Sequence, residues 1–132
     1  MDVNKIIEKA IEGRSKSYSP YSHFKVGAAA LLKNGEYIMG CNVENISYGL
    51  TICAERNTLF QLVSAGYTKE DVEAFCIVGD TTNPISPCGA CHQVMAELLD
   101  MNTPVVLANM KNDYKLTTVK DLLPYCFEEI EV

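Results

Sequence analysis

Three cysteines and one glutamate constrain this sequence more than any other feature. Cys53 stands in T-I-C-A-E-R with Glu55 two residues on, and Cys88 and Cys91 lie further along in P-C-G-A-C. The C-x-x-C pair has a spacing that zinc sites favour. Both cysteine segments read as helix starts, so if Cys53 joins the pair the fold must bring two separate helix N-termini to one point. Helix N-termini carry partial positive charge and lower thiol pKa values, which suits thiolate ligands. Three thiolates would hold Zn²⁺ and leave a fourth position for water, the coordination plan of a catalytic site. Glu55 then stands near that position as a proton carrier without being a ligand.

The cysteines admit other readings. Cys88-Gly89-Ala90-Cys91 alone, opening a helix after a strand, also suits a thiol–disulfide exchange module. Redox exchange needs neither a third thiolate nor an acid, and Cys53-Ala54-Glu55-Arg56 supplies both. A non-catalytic structural zinc site wants a fourth protein ligand. Cys41, Cys126, His23 and His92 are available, but none completes a tight second pair. The chain has six cysteines and no segment resembling a secretion signal, which favours metal ligation or buried thiols over disulfides. Cys41 and Cys76 fall in strand-like stretches and read as inert core thiols.

Hydrophobic periodicity orders the rest. Val3, Ile6, Ile7, Ala10 and Ile11 form one helical stripe, expected to end by Ser19-Pro20. Phe24–Leu32 reads as a buried strand, Asn34-Gly35 as a hairpin turn, and Tyr37–Val43 as the returning strand. Glu44–Leu50 reads as a loop, residues 52–65 as a helix closed by Gly66, and Val72–Val78 as another buried strand. A loop from Asp80 leads to the second ligand-bearing helix, with Cys91, Val94, Met95 and Leu98 as its inward stripe. Val105–Ala108 and Tyr114–Thr117 are further strands, and Thr118 with Asp121 caps a short last helix. Strands alternating with helices argue for a layered α/β domain, a single one across residues 1–132.

Composition narrows the partners. The net charge is −6 and the eleven Lys and Arg are scattered, without the basic stripe that tracks phosphates, so a small molecule is expected and nucleic acid is not. No apolar run approaches the roughly 20 residues of a membrane span. With no signal peptide visible at the N-terminus, a cytoplasmic location is expected.

Together, C-A-E-R and P-C-G-A-C resemble the cytidine deaminases, specifically the small homotetrameric type with a three-cysteine zinc site, within the cytidine/deoxycytidylate deaminase superfamily. The resemblance runs from Tyr18 to Phe127. It implies a three-layer α/β/α fold with a mixed five-stranded sheet and one Zn²⁺ per chain on Cys53, Cys88 and Cys91. The implied reaction is hydrolytic deamination of cytidine and 2′-deoxycytidine, with Glu55 shuttling protons and Arg56 hydrogen-bonding the thiolates to offset their charge. Phe24-Lys25-Val26-Gly27-Ala28-Ala29 and Asn42-Val43-Glu44-Asn45 resemble the family's F-x-V-G-A-A and N-x-E-N segments. Phe24 would then pack on the pyrimidine, and Asn42 with Glu44 would bind the ribose 3′-hydroxyl. Asn45, Tyr48, Ala54 and Phe127 complete the implied substrate set, Tyr48 and Phe127 from segments that finish a neighbouring subunit's pocket in a homotetramer. His92 departs from the family, which commonly has Arg there. Deamination of another aminopyrimidine nucleoside is the alternative within enzymes, and Asn42-Val43-Glu44-Asn45 argues against it.

Overall fold

The computed structural model describes residues 1–126 and 128. The first apolar stripe forms α1 (Val3–Arg14), capped by Asp2, whose carboxylate accepts the Lys5 amide at 3.2 Å. The helix stops several residues short of Ser19-Pro20. The chain beyond it is drawn into extended pairing instead: Tyr18 N–H donates to the Asn42 carbonyl and Glu44 N–H to the Tyr18 carbonyl.

Strands β1 (Val26–Leu32) and β2 (Tyr37–Cys41) form the expected hairpin. Its turn needs Gly35 at φ 90°, where a side chain would be strained. The Asn34 side chain braces it by accepting the Glu36 amide at 2.9 Å. Residues 44–50 are not wholly irregular, since Tyr48–Leu50 makes one 3₁₀ turn. Helix α2 (Ala54–Ser64) follows, then strand β3 (Val72–Gly79), helix α3 (Gly89–Leu98), strands β4 (Pro104–Asn109) and β5 (Tyr114–Thr118), and the short helix α4 (Val119–Leu122). Thr118 caps α4 by accepting the Asp121 amide. A further 3₁₀ turn at Lys69–Asp71, held by a Thr68/Asp71 capping box, leads into β3.

The five strands lie in the order β2-β1-β3-β4-β5. All neighbours are antiparallel except β3 and β4, the pair bridged by α3 as a crossover. Both sheet faces are covered, which is why β1, β3 and β4 read as nearly continuous apolar runs. Ala28, Ala30, Leu32, Phe75, Ile77, Val105 and Leu107 face α2 and α3, where Leu59, Leu62, Met95 and Leu99 meet them. Ala29, Leu31, Ala74, Cys76, Val78, Val106 and Ala108 face α1, against Ile6, Ile7 and Ala10. The fold is therefore a three-layer α/β/α sandwich around a mixed sheet. The stripe on α3 is narrower than its periodicity suggests. Cys91 and Met95 are buried, whereas Val94 and Leu98 are only partly so and line a groove with Phe60 and Val63 of α2. Among the described residues no helix is long and apolar enough to cross a membrane.

Candidate active site

Helices α2 and α3 lie on the same face of the sheet, and each begins on a cysteine. Cys53 is the N-cap of α2 and Cys88 the N-cap of α3, both with extended backbone and no side-chain capping bond of their own. Their sulfurs are thus left free at the positive helix ends. Cys91, one turn into α3, points back to the same place. The three sulfurs lie within 4.8 Å of one another, with Cys53 Sγ to Cys88 Sγ at 3.8 Å and Cys88 Sγ to Cys91 Sγ at 3.1 Å. Tetrahedral zinc with Zn–S bonds of about 2.3 Å sets its sulfurs about 3.8 Å apart, so this donor set fits zinc. Among the described residues Cys41, Cys126, His23 and His92 stay outside the cluster, which stops at three ligands.

The charges around the sulfurs are arranged to favour a thiolate. Cys53 is pulled down to about 5, chiefly by the Cys91 thiol hydrogen-bonding to it, with Arg56 and Cys88 adding to this against the cost of burial. Cys91 is pushed up by that same bond, by burial and by the nearby Glu55 carboxyl, so the negative charge of the pair rests on Cys53. Arg56 Nη2 donates to Cys53 Sγ at 3.4 Å, and its Nε is buried with no protein partner. Glu55 is only 4 % exposed, and burial raises its pKa above that of an ordinary glutamate.

These groups open on a cleft of about 220 Å³ lined by Cys53, Ala54, Glu55, Cys88, Asn42 and Thr51, with Val26, Ile77, Ile85 and Ser86 completing its walls. A converging cysteine trio beside a buried acid at one small cleft is the geometry of a zinc deaminase centre. A family profile for the cytidine and deoxycytidylate deaminase zinc-binding region matches residues 1–107. The chain belongs to that deaminase family.

Its relatives agree along nearly the whole length. The cytidine deaminase of Halalkalibacterium halodurans is 51 % identical over 127 residues, covering 96 % of this chain and 95 % of the relative. That of Sporosarcina psychrophila is 46 % identical, covering 98 % and 93 %. Among solved structures, cytidine deaminase from Burkholderia pseudomallei superposes with a TM-score of 0.93 at 50 % identity, covering 96 % of this chain and all of that one. The enzyme from Mycobacterium tuberculosis gives 0.83 at 36 %, covering 98 % and 99 %.

The residues expected from the sequence to contact a substrate are placed as follows. Asn42 lines the cleft and is buried, its Oδ1 accepting from Ser17 Oγ at 2.5 Å and the Val26 amide at 3.0 Å, its Nδ2 donating to the Phe24 carbonyl at 2.9 Å. Glu44 lies just past it, accepting the Tyr21 and Ser22 amides on Oε1 and the Ser22 hydroxyl on Oε2. Those bonds, the Ser22 hydroxyl first, lower its pKa below the ordinary carboxylate value. Phe24 is 38 % exposed, its ring resting over Gly79 beside Ile85. Asn45 accepts the Ser47 amide and so shapes the loop turn. Tyr48 is 75 % exposed and meets Tyr21 edge-to-face at 6.3 Å. Of the expected substrate residues, Asn42 and Ala54 line the cleft, whereas Phe24, Glu44, Asn45 and Tyr48 do not, and Phe127 lies outside the described residues. Sequence reasoning missed Thr51, Ile85 and Ser86. Their only signal was proximity to the cysteine motifs, in stretches with no periodicity.

Proposed function

We propose that this protein is a cytidine deaminase, converting cytidine and 2′-deoxycytidine to uridine and 2′-deoxyuridine with release of ammonia. The carrying observation is that three cysteine sulfurs converge near the buried Glu55, with Cys53, Cys88 and Glu55 lining one cleft. Cys53, Cys88 and Cys91 would hold the zinc, which would supply Lewis acidity to a water facing the ring carbon that bears the amino group. Glu55 takes a proton from that water and gives it to the ring nitrogen. It then carries the second proton to the amino group, so that the carbon–nitrogen bond breaks and ammonia leaves. A carboxyl whose pKa is raised by burial holds and releases protons nearer neutral pH than an exposed one. Arg56 offsets the excess negative charge of three thiolates.

Phe24 offers its face to the flat ring, and Asn42 with Glu44 takes a sugar hydroxyl. The internal bonds of that pair support this. Asn42 Oδ1 is fully used, but Nδ2 has one N–H left, and Glu44 Oε2 has one acceptor position left. One remaining donor and one remaining acceptor, on residues two apart in the chain, suit a sugar hydroxyl, which can both accept and donate. Ala54 forms the cleft wall next to the metal ligands.

We also read the protein as a cytoplasmic homotetramer of pyrimidine salvage, in which Tyr48 and Phe127 serve a neighbouring subunit's pocket and Asn45 contacts the substrate. Ile46, Tyr48 and Leu50 are 80, 75 and 67 % exposed, an apolar strip of the kind that marks contact surfaces. The cleft is smaller than the roughly 300–1,000 Å³ of ligand pockets, which suits a wall supplied from outside.

The test is an ultraviolet assay of the purified protein with cytidine, alongside zinc analysis. Conversion to uridine with about one zinc per chain is expected, and Cys53→Ala should lose metal and activity together. Absence of conversion by zinc-loaded protein, or full zinc in the Cys53→Ala variant, would contradict the assignment.

A further inference from the structure

Glu44 and Phe24 are joined through one hydroxyl. Ser22 Oγ donates to Glu44 Oε2 and accepts the Phe24 amide at 3.0 Å. The Tyr21 and Ser22 amides meanwhile donate to Glu44 Oε1 at 3.0 and 3.1 Å. Between Ser22 and Phe24 the backbone passes through His23 at φ 59°, a left-handed conformation costly for a residue other than glycine. The bond from the Phe24 amide to Ser22 Oγ spans that turn and holds it shut.

A hydroxyl has a single proton to give. Once it donates to a carboxylate and accepts from an amide, its direction is set. The Glu44 carboxylate therefore orients the Ser22 hydroxyl, the hydroxyl closes the turn at His23, and the turn directs the Phe24 ring over Gly79. A second set of bonds anchors the same segment further along, from Asn42 to the Phe24 carbonyl and the Val26 amide. Ser22 is the link between the residue at the sugar end and the residue at the ring end.

We propose that Ser22 is a positioning residue for nucleoside binding, its hydroxyl coupling Glu44 to Phe24 so that sugar and base are recognised in register. This rests on the reading of Glu44 and Phe24 as nucleoside contacts. Ser22 acts through both and need not touch the substrate.

The experiment compares zinc-loaded full-length protein with Ser22→Ala, Ser22→Thr, Glu44→Gln and the Ser22→Ala/Glu44→Gln double variant, measuring kcat and KM for cytidine. Ser22 is exposed, so its variants keep the fold. Losing a hydrogen bond to a charged group should raise the Ser22→Ala KM about tenfold, with kcat changed by no more than about twofold. Ser22→Thr, which retains the hydroxyl, should return KM to within about threefold of the parent. The double variant should be little worse than Glu44→Gln alone, because both changes break one coupled unit. A parental KM in Ser22→Ala, with KM raised in Glu44→Gln, overturns the role of Ser22 alone. So does strict additivity in the double variant, or a fall in kcat at unchanged KM. An unchanged KM in Glu44→Gln overturns the sugar-binding reading itself, and the proposal with it.

Discussion

Arg56 and Glu44 each carry a charge held by specific hydrogen bonds. Arg56 reaches Cys53 with one nitrogen while another is buried without a protein partner, so its charge is directed at the sulfur cluster. Arg56→Gln should leave nucleoside affinity near the parent but lower turnover by about 10–100-fold, the usual loss when a residue supporting a metal ligand is removed. A variant whose only defect is a higher KM would assign Arg56 to the substrate instead. Glu44 gives a pH prediction. Its pKa in the fold lies below the 4.5 of a free glutamate, through the Ser22 hydroxyl, the Ser22 and Tyr21 amides and the neighbouring His23. A depressed carboxyl contributes its stabilisation above 4.5 and loses it as pH falls through the lower, folded value. Exchange protection of the Tyr21 and Ser22 amides should therefore persist through pH 4.5 and fade only below it. Ser22→Ala should move that loss upward toward 4.5, and a parental midpoint above 4.5 would contradict the assignment.

At the scale of elements, the close approach of α2 to β2 determines where Cys53 sits. A Cβ at Gly40 would collide with Thr58 Oγ1 and come 2.9 Å from the Thr58 amide nitrogen, and Thr58 is fully buried with its hydroxyl on the Ala54 carbonyl. Backbone cannot give way as a flexible side chain can. Gly40→Ala should cost about 3 kcal/mol and lower Tm by roughly 10 °C; an unchanged Tm would show that α2 has room to retreat. The helices themselves were legible because their apolar periodicity is local, and so were the hairpin at Asn34-Gly35 and the cap at Thr118. Boundaries were less so. The end of α1 is decided by Tyr18 pairing with Asn42 and Glu44, and the partly exposed Val94 and Leu98 line a groove with Phe60 and Val63 of α2. Neither is contained in the periodicity of one segment.

Across the whole molecule, the sheet order brings the two cysteine-bearing helix starts together. The parallel pairing of β3 with β4, bridged by α3, places α3 beside α2 on one face, and that pairing is non-local and invisible in any short window. The meeting of Cys53, Cys88 and Cys91 was nonetheless readable beforehand, because zinc chemistry restricts residue type and spacing so tightly. The cleft walls Thr51, Ile85 and Ser86 were not, since apolar and hydroxyl side chains in loops carry no spacing rule. Ser22 was passed over for the same reason, its function lying in bonds to residues two and 22 positions away. The central claim is that Glu55 moves the protons of a hydrolytic deamination beside three thiolate ligands. Its most direct test is turnover of cytidine by Glu55→Gln, measured with zinc content and Tm on the same sample. The amide keeps the shape of the side chain but cannot carry a proton. With zinc and fold retained, the rate should fall by about 10⁴-fold or more, at the upper end for a general acid–base group because one carboxyl serves several transfers. A zinc-loaded, folded variant that kept a tenth of the parental rate, roughly 10³-fold above that expectation, would contradict it.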